Sequence, residues 1–274
     1  MTTIEVLPDD VLLAIFDFFV IGNQDRPING AGNGMDLSSA DKEWAEWWQP
    51  LVHVCRRWRT LVFDSPHRLD LQLYCTFGTV TRKNLDIWPA LPLLIRNDDV
   101  FHTPVDDLTS VFDHSNRIRQ INLSCDTISQ FEKVWAAMQV PFPELTNLIL
   151  GRSGDTGQSP SETVTVLLDS FLGGSVPPLR YLTFTGIPFP GLQKLLLSAT
   201  HLVELHLWSI PHSGYISPEA MVALLSMLSS LDALYLGFES RQSRLDWGSR
   251  RPPLLKRSVI PSLTCLFFRG LEDI

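Results

Sequence analysis

The chain is short of positive charge. Twenty-two Lys and Arg stand against 30 Asp and Glu over 274 residues, for a formal net charge of −8. A general nucleic-acid binder draws its affinity from neutralising phosphates, so this balance speaks against that class and against an anionic membrane surface. Cysteine is scarce as well: Cys55, Cys75, Cys125 and Cys265 are far apart and form no C-x-x-C. A zinc site built from cysteines is therefore unsupported, and free buried thiols in a reducing compartment are the plain reading. Long apolar runs are missing. The longest, Val11 to Ile21, is interrupted by Asp17 and is too short to span a bilayer. Met1-Thr2-Thr3-Ile4-Glu5 lacks the basic start of a secretory signal. The expected location is cytoplasmic or nuclear. Asn122-Leu123-Ser124 matches a glycosylation sequon, but it falls in an expected buried strand and is discounted.

Signatures of catalysis are also missing. There is no G-x-S-x-G elbow, no P-loop and no H-E-x-x-H. Gly30-Ala31-Gly32-Asn33-Gly34 has the wrong glycine spacing for a phosphate loop, with no strand before it and no Lys-Ser/Thr after it. His201, His206 and His212 are spaced five and six apart, which suits neither one helix face nor one strand face. Asp106-Asp107 opens an expected helix carrying Leu108, Val111 and Phe112, where the helix dipole accounts for the charges. The expectation is a chain that is not an enzyme, with no cofactor and no metal.

What the chain has is apolar patterning, with 45% hydrophobic residues, enough for a sizeable core. Leu7-Pro8-Asp9-Asp10 reads as a helix start: proline suits the first turn, and the aspartates suit the positive end of the dipole. Leu12, Ile15, Phe16 and Phe19 follow as one amphipathic stripe. A Gly-, Asn- and Pro-rich insertion follows, then Ser38 and Asp41 as a capping-box variant and a short helix with Trp44, Trp47 and Trp48. Leu51, Val54, Cys55 and Trp58 repeat the stripe, extended by Leu61 and Val62. The opening L-P-x-D-V-L-x-x-I-F and the ending V-C-R-R-W-R resemble an F-box. The resemblance implies a small helical module that docks on the Skp adaptor of a cullin-RING ubiquitin ligase. It assigns adaptor contact to Leu7, Pro8, Leu12, Ile15, Phe16, Leu51, Val54, Cys55 and Trp58. The other reading of the same segment is an N-terminal helical cap.

From His67 the texture changes to short apolar alternations, first at Leu69 to Leu73 and Leu91 to Ile95. A hexapeptide of the form L-x-x-L-x-L then begins at Ile118, Leu145, Leu179, Leu202, Leu231 and Leu263, at spacings of 27, 34, 23, 29 and 32 residues. These spacings centre on a leucine-rich repeat, whose longer forms run to about 29 residues. Helical stripes lie between: Phe131, Val134, Trp135, Met138; Val164, Leu167, Leu168, Phe171; and Met221, Leu224, Leu225, Leu228, the last capped by Ser217-Pro218.

The expected fold class is α/β. Residues 1–66 form an F-box-like module with an insertion at 22–40. Residues 67–274 form a right-handed leucine-rich-repeat solenoid, truncated at its C-terminus, with parallel strands on the concave face and helices on the convex face. In each strand the leucines point into the core and the alternate residues point out. Tyr181, Thr183, Glu204, His206, Trp208, Tyr235, Phe267 and Arg269 then become target-binding candidates, with cover from neighbouring loops as the alternative for the aromatics. Residues 239–260 read as a basic, proline-bearing loop, either solvated or a patch for an acidic ligand.

The whole arrangement resembles the F-box proteins with leucine-rich repeats that are numerous in basidiomycete fungi. It implies a Skp-type adaptor, a cullin scaffold and an unknown target protein as partners, with no nucleic acid and no membrane. A target held near the ubiquitin-charged partner requires no catalytic residue here. Five lysines against seventeen arginines would limit self-modification, though compositional drift explains this equally well. The alternative is a leucine-rich-repeat recognition or scaffold protein whose front helices serve only as a cap.

Overall fold

The structure, a computed structural model, describes residues 6–24, 47–75, 85, 89–96, 111–125, 127–152, 171–174, 178–187, 192–210, 218–238 and 262–269. The insertion expected at 22–40 is corrected at its start, because residues 22–24 are the last of the first helix; its remainder at 25–40, the stripe at 164–168 and the basic segment 239–260 lie outside these residues. The chain forms two compact units, Met1–Asp98 and Asp99–Ile274.

In the first unit, α1 spans Asp9–Gln24. The Pro8 carbonyl accepts from the Val11 and Leu12 amides, both at 3.1 Å, and starts the helix. Leu12, Leu13 and Phe16 are buried, whereas Val11, Ile15 and Phe18 are exposed. The expected single stripe is thus corrected: Ile15 leaves the buried face and Leu13 joins it. The Phe19 side chain lies outside the described residues.

The second stripe is split between two helices, α2 (Gln49–Val52) and α3 (Arg56–Asp64). Cys55 between them is extended, at φ −157° and ψ 171°, so the 51–58 spacing does not run along one helix. Val54 is exposed in the turn. Trp58 meets Phe16 edge-on at 4.9 Å and so joins α3 to α1. Arg57 adds polar ties, donating to the Leu7 carbonyl at 2.6 Å and pairing with Asp9 at 2.5 Å. Trp48 is fully buried against Phe63, and its Nε1 donates to the Gln72 carbonyl at 2.9 Å. That bond ties the helices to the segment leading into β1 (Leu73–Cys75), which pairs in parallel with β2 (Leu93–Arg96).

The second unit holds β3 (Ile118–Cys125), β4 (Asn147–Arg152), β5 (Tyr181–Thr185), β6 (Glu204–Ile210), β7 (Ala233–Phe238) and β8 (Cys265–Arg269). Each pairs in parallel with the next in chain order, and no described pairing returns β8 to β3, so the sheet is open. Parallel neighbours require a crossover. It is supplied by α4 (Ile128–Ala137), a 3-10 turn (Phe171–Gly174), α5 (Leu192–Ser198) and α6 (Pro218–Met227).

The hexapeptides account for the sheet. Leu145, Leu179, Leu202 and Leu231 are buried just ahead of their strands. Their neighbours Leu148, Leu182, Leu205 and Leu234 share one register row, and Leu150, Phe184, Leu207 and Leu236 share the next. This leucine face needs crossover elements to cover it. Phe131, Val134 and Trp135 supply that cover from α4, with Met138 at its C-cap, and Leu224 and Leu225 from α6, with Leu228 just after it.

At β8 the rule fails. Leu266 and Phe268 continue the two leucine rows but are each 63% exposed, because no described helix covers this strand.

The first residues of α4 carry a full capping box. The Thr127 Oγ accepts from the Gln130 amide at 3.2 Å, and the Gln130 Oε1 accepts from the Thr127 amide at 3.3 Å. Thr127→Ala leaves a helix-start donor unsatisfied and is expected to lower stability by about 1 kcal/mol in urea unfolding. Thr127→Ser should restore most of it. Among the described residues, no helix is long and apolar enough to cross a membrane.

Candidate functional site

The face opposite the leucine rows presents three parallel rows of side chains. The first is Gln120, Asn147, Tyr181, Glu204, Ala233 and Cys265. The second is Asn122, Ile149, Thr183, His206, Tyr235 and Phe267. The third runs Ser124, Gly151, Thr185 and Trp208, and continues as the Gly237–Arg269 pair on β7 and β8. All eight target-binding candidates lie in these rows. The β3–β5 half is polar and the β6–β8 half is aromatic.

In the aromatic half, the rings of Trp208, Tyr235 and Phe267 form a near-equilateral triangle. The centroids are 6.0 Å apart for Trp208–Tyr235, 5.6 Å for Trp208–Phe267 and 6.0 Å for Tyr235–Phe267. His206 lies against Tyr235 at 4.1 Å and reaches the Glu204 carboxylate at 3.2 Å.

A bulge places the Trp208 ring. Between the pairs Leu207–Leu236 and Ile210–Phe238, two residues of β6 face one residue of β7. Ser209 takes the left-handed conformation (φ 49°) to accommodate the extra residue. The lone residue opposite is Gly237, and a Cβ there would come within 2.8 Å of the Trp208 ring. Only glycine leaves the indole room to lie against the backbone. Ser209 and Gly237 were not among the sequence candidates, although an isolated glycine inside a strand pattern signals a close backbone approach.

His206 corrects one expectation. It occupies an outward register position but is buried, covered by Tyr235 and Glu204. Burial lowers its pKa below the ordinary 6.5 and outweighs the opposing hydrogen bond and charge of Glu204. The Tyr235 phenol is held above its ordinary 10. The hydrogen bond it shares with the Cys265 sulfur at 3.5 Å comes first, then desolvation, then nearby negative charge that includes Glu204 and Asp232. Asp232 in turn accepts from the Thr264 hydroxyl at 2.6 Å.

The His206 shift has a signed consequence. The unfolded chain takes up a proton near pH 6.5, while the folded chain resists doing so. Stability therefore falls as pH drops through 6.5. The groups facing His206 are Glu204 on its own strand, Thr183 on β5 and Tyr235 on β7. The wild type should lose up to about 1.4 kcal/mol per pH unit more than His206→Phe. Urea midpoints measured across the acid range would show equal slopes if the histidine were solvated.

The structure separates the residues that the F-box resemblance assigns. Leu12, Phe16 and Leu51 are buried within the first unit, and Cys55 and Trp58 are half-buried. Leu7 is half-buried, whereas Pro8, Ile15 and Val54 are exposed. Val11, a motif position given no adaptor contact, and Phe18, outside the motif, stand beside Ile15 on α1 and are exposed. Positions 11, 15 and 18 fall within an arc of about 60° on a helix, roughly opposite the buried arc of 12, 13 and 16.

Of the histidine group, His201 is exposed ahead of β6, and His212 lies outside the described residues. Among the described residues no cluster of three or more His, Cys, Asp or Glu could hold a metal. No protein-family model matches the sequence, and no curated protein matches it.

Proposed function

We propose that this chain is the substrate-recognition subunit of a cullin-RING (SCF-type) ubiquitin ligase. Its front helices are an F-box that docks on a Skp-type adaptor, and the repeat unit behind them binds the target protein. The observation that carries this reading is the second apolar face of α1. Leu12, Leu13 and Phe16 satisfy the unit's own core, yet Val11, Ile15 and Phe18 add an exposed stripe, with Phe18 79% exposed. Large apolar groups grouped on one face mark an interaction surface more often than those scattered singly. The rows on β3–β8, mostly polar toward β3 and aromatic toward β8, suit target recognition, since Trp and Tyr are enriched in binding hot spots. The right-handed leucine-rich-repeat solenoid belongs to the same proposal, supported by the hexapeptide spacing and the parallel strand order.

A second reading has its own support. Leu12, Phe16 and Leu51, three of the assigned contact residues, are taken up in the unit's core, as in a recognition or scaffold protein whose front helices are only a cap.

Co-expression of the full chain with a Skp-type adaptor separates the two. The ligase reading expects a stoichiometric complex by size exclusion. A well-folded chain that elutes without adaptor, at micromolar concentrations of both, would leave the scaffold reading standing.

A further inference from the structure

The face of β6–β8 carries a further assignment, resting on the reading that this face binds the target. We propose that the Trp208–Tyr235–Phe267 triangle is the subsite for one basic side chain, lysine or arginine, of a bound peptide, with its cation above the three rings and on the Glu204–Asp232 side.

The first argument is geometric. The three centroids lie 5.6–6.0 Å apart, with the rings tilted by 31–58° to one another. The centre of such a triangle is about 3.4 Å from each centroid, so a cation about 4 Å above it lies about 5 Å from all three, within the ~6 Å reach of cation–π attraction. Tyr235 is half-buried and Phe267 exposed, so the rings are reachable. Trp208 is half-buried and held against Gly237, so this ring is set before any ligand arrives.

The second argument is charge. In the three rows of this face the only charged side chains are Glu204 and Arg269, and Asp232 stands immediately ahead of β7. The negative charges of Glu204 and Asp232 both reach Tyr235, where they help hold the phenol protonated. His206, the one group bonded to Glu204 in this cluster, is neutral at pH 7 because burial holds its pKa down, so it does not cancel the carboxylate. Arg269 lies in the same row as Trp208, so its charge disfavours a cation at that edge of the triangle and places the favoured position on the Glu204 side. An apolar side chain could use the rings but would gain nothing from the carboxylates. An acidic one would be repelled by them.

The test is selection of random nonapeptides displayed on phage against the intact chain. Enriched sequences should share a lysine or arginine. In synthetic peptides, replacing that residue with norleucine should weaken binding at least ~10-fold. Glu204→Gln, which keeps the hydrogen-bonding shape, should weaken binding several-fold. The double variant Tyr235→Leu/Phe267→Leu, checked for folding by circular dichroism, should abolish enrichment. Sequences anchored by acidic or purely apolar residues, binding equal on wild type and Glu204→Gln, or no enrichment at all would each overturn the proposal. Adaptor capture by the same preparation keeps the readings apart. Peptide selection without adaptor binding removes the ligase and keeps the subsite, and the converse removes the subsite alone.

Discussion

Phe18→Asp is expected to abolish adaptor capture while leaving the thermal melt of the chain unchanged. Leu12→Asp, six residues earlier on the same helix, is expected to destroy the first unit itself. The two substitutions put the same charge on opposite faces of α1. Leu12 is fully buried, and an unpaired carboxylate there carries a desolvation penalty of several kcal/mol, a large share of what a small unit has to lose. Phe18 is 79% exposed, so a carboxylate at that position stays in water. In an adaptor complex, removing a hot-spot aromatic typically weakens binding by 2 kcal/mol or more, about 30-fold. Ile15→Asp should behave like Phe18→Asp with a smaller effect, because it exposes less surface. Calorimetric titration against a Skp-type adaptor, paired with a thermal melt of each variant, reads both quantities. If Phe18→Asp and Ile15→Asp bind as the wild type does, α1 is not the docking helix.

The second large effect lies in the sheet. Leu205→Ala should cost about 2–5 kcal/mol in urea unfolding, because it removes a fully buried side chain from a central strand and leaves a cavity. Leu266→Ala, the same register row two strands on, should cost less than about 0.5 kcal/mol, since the side chain is 63% exposed. Equal losses at the two positions would mean that β8 is covered in solution.

Much of this architecture is legible in the sequence. Ile118, Leu145, Leu179, Leu202 and Leu231 each open a hexapeptide that becomes a parallel strand or leads directly into one, because alternate residues of a strand must face opposite sides. The α4 and α6 stripes are equally plain, since burial at i, i+3, i+4 and i+7 is what covering a sheet demands. The outward positions follow from the same alternation, and so do all eight target-binding candidates.

Other features are decided only by tertiary structure. The leucine pattern at 263–268 looks like the other five, yet Leu266 and Phe268 are exposed, because burial depends on what lies across from a residue and not on its own spacing. His206 reads as an outward histidine but is covered by a tyrosine from the next strand, a residue 29 positions away. The Trp208 ring takes its place from the Ser209 bulge, which breaks the alternation of β6, and from the missing side chain of Gly237 on the next strand. The F-box-like segment shows the division most sharply. Spacing predicts an amphipathic helix opening at Asp9, with Leu12 and Phe16 on its apolar stripe; its extension to Gln24 comes from the structure. Which apolar residues remain exposed was decided when Phe16 met Trp58 and Leu13 turned inward, leaving Val11, Ile15 and Phe18 in solvent. A helix has more than one apolar arc in such a sequence, and only packing chooses which arc is the core.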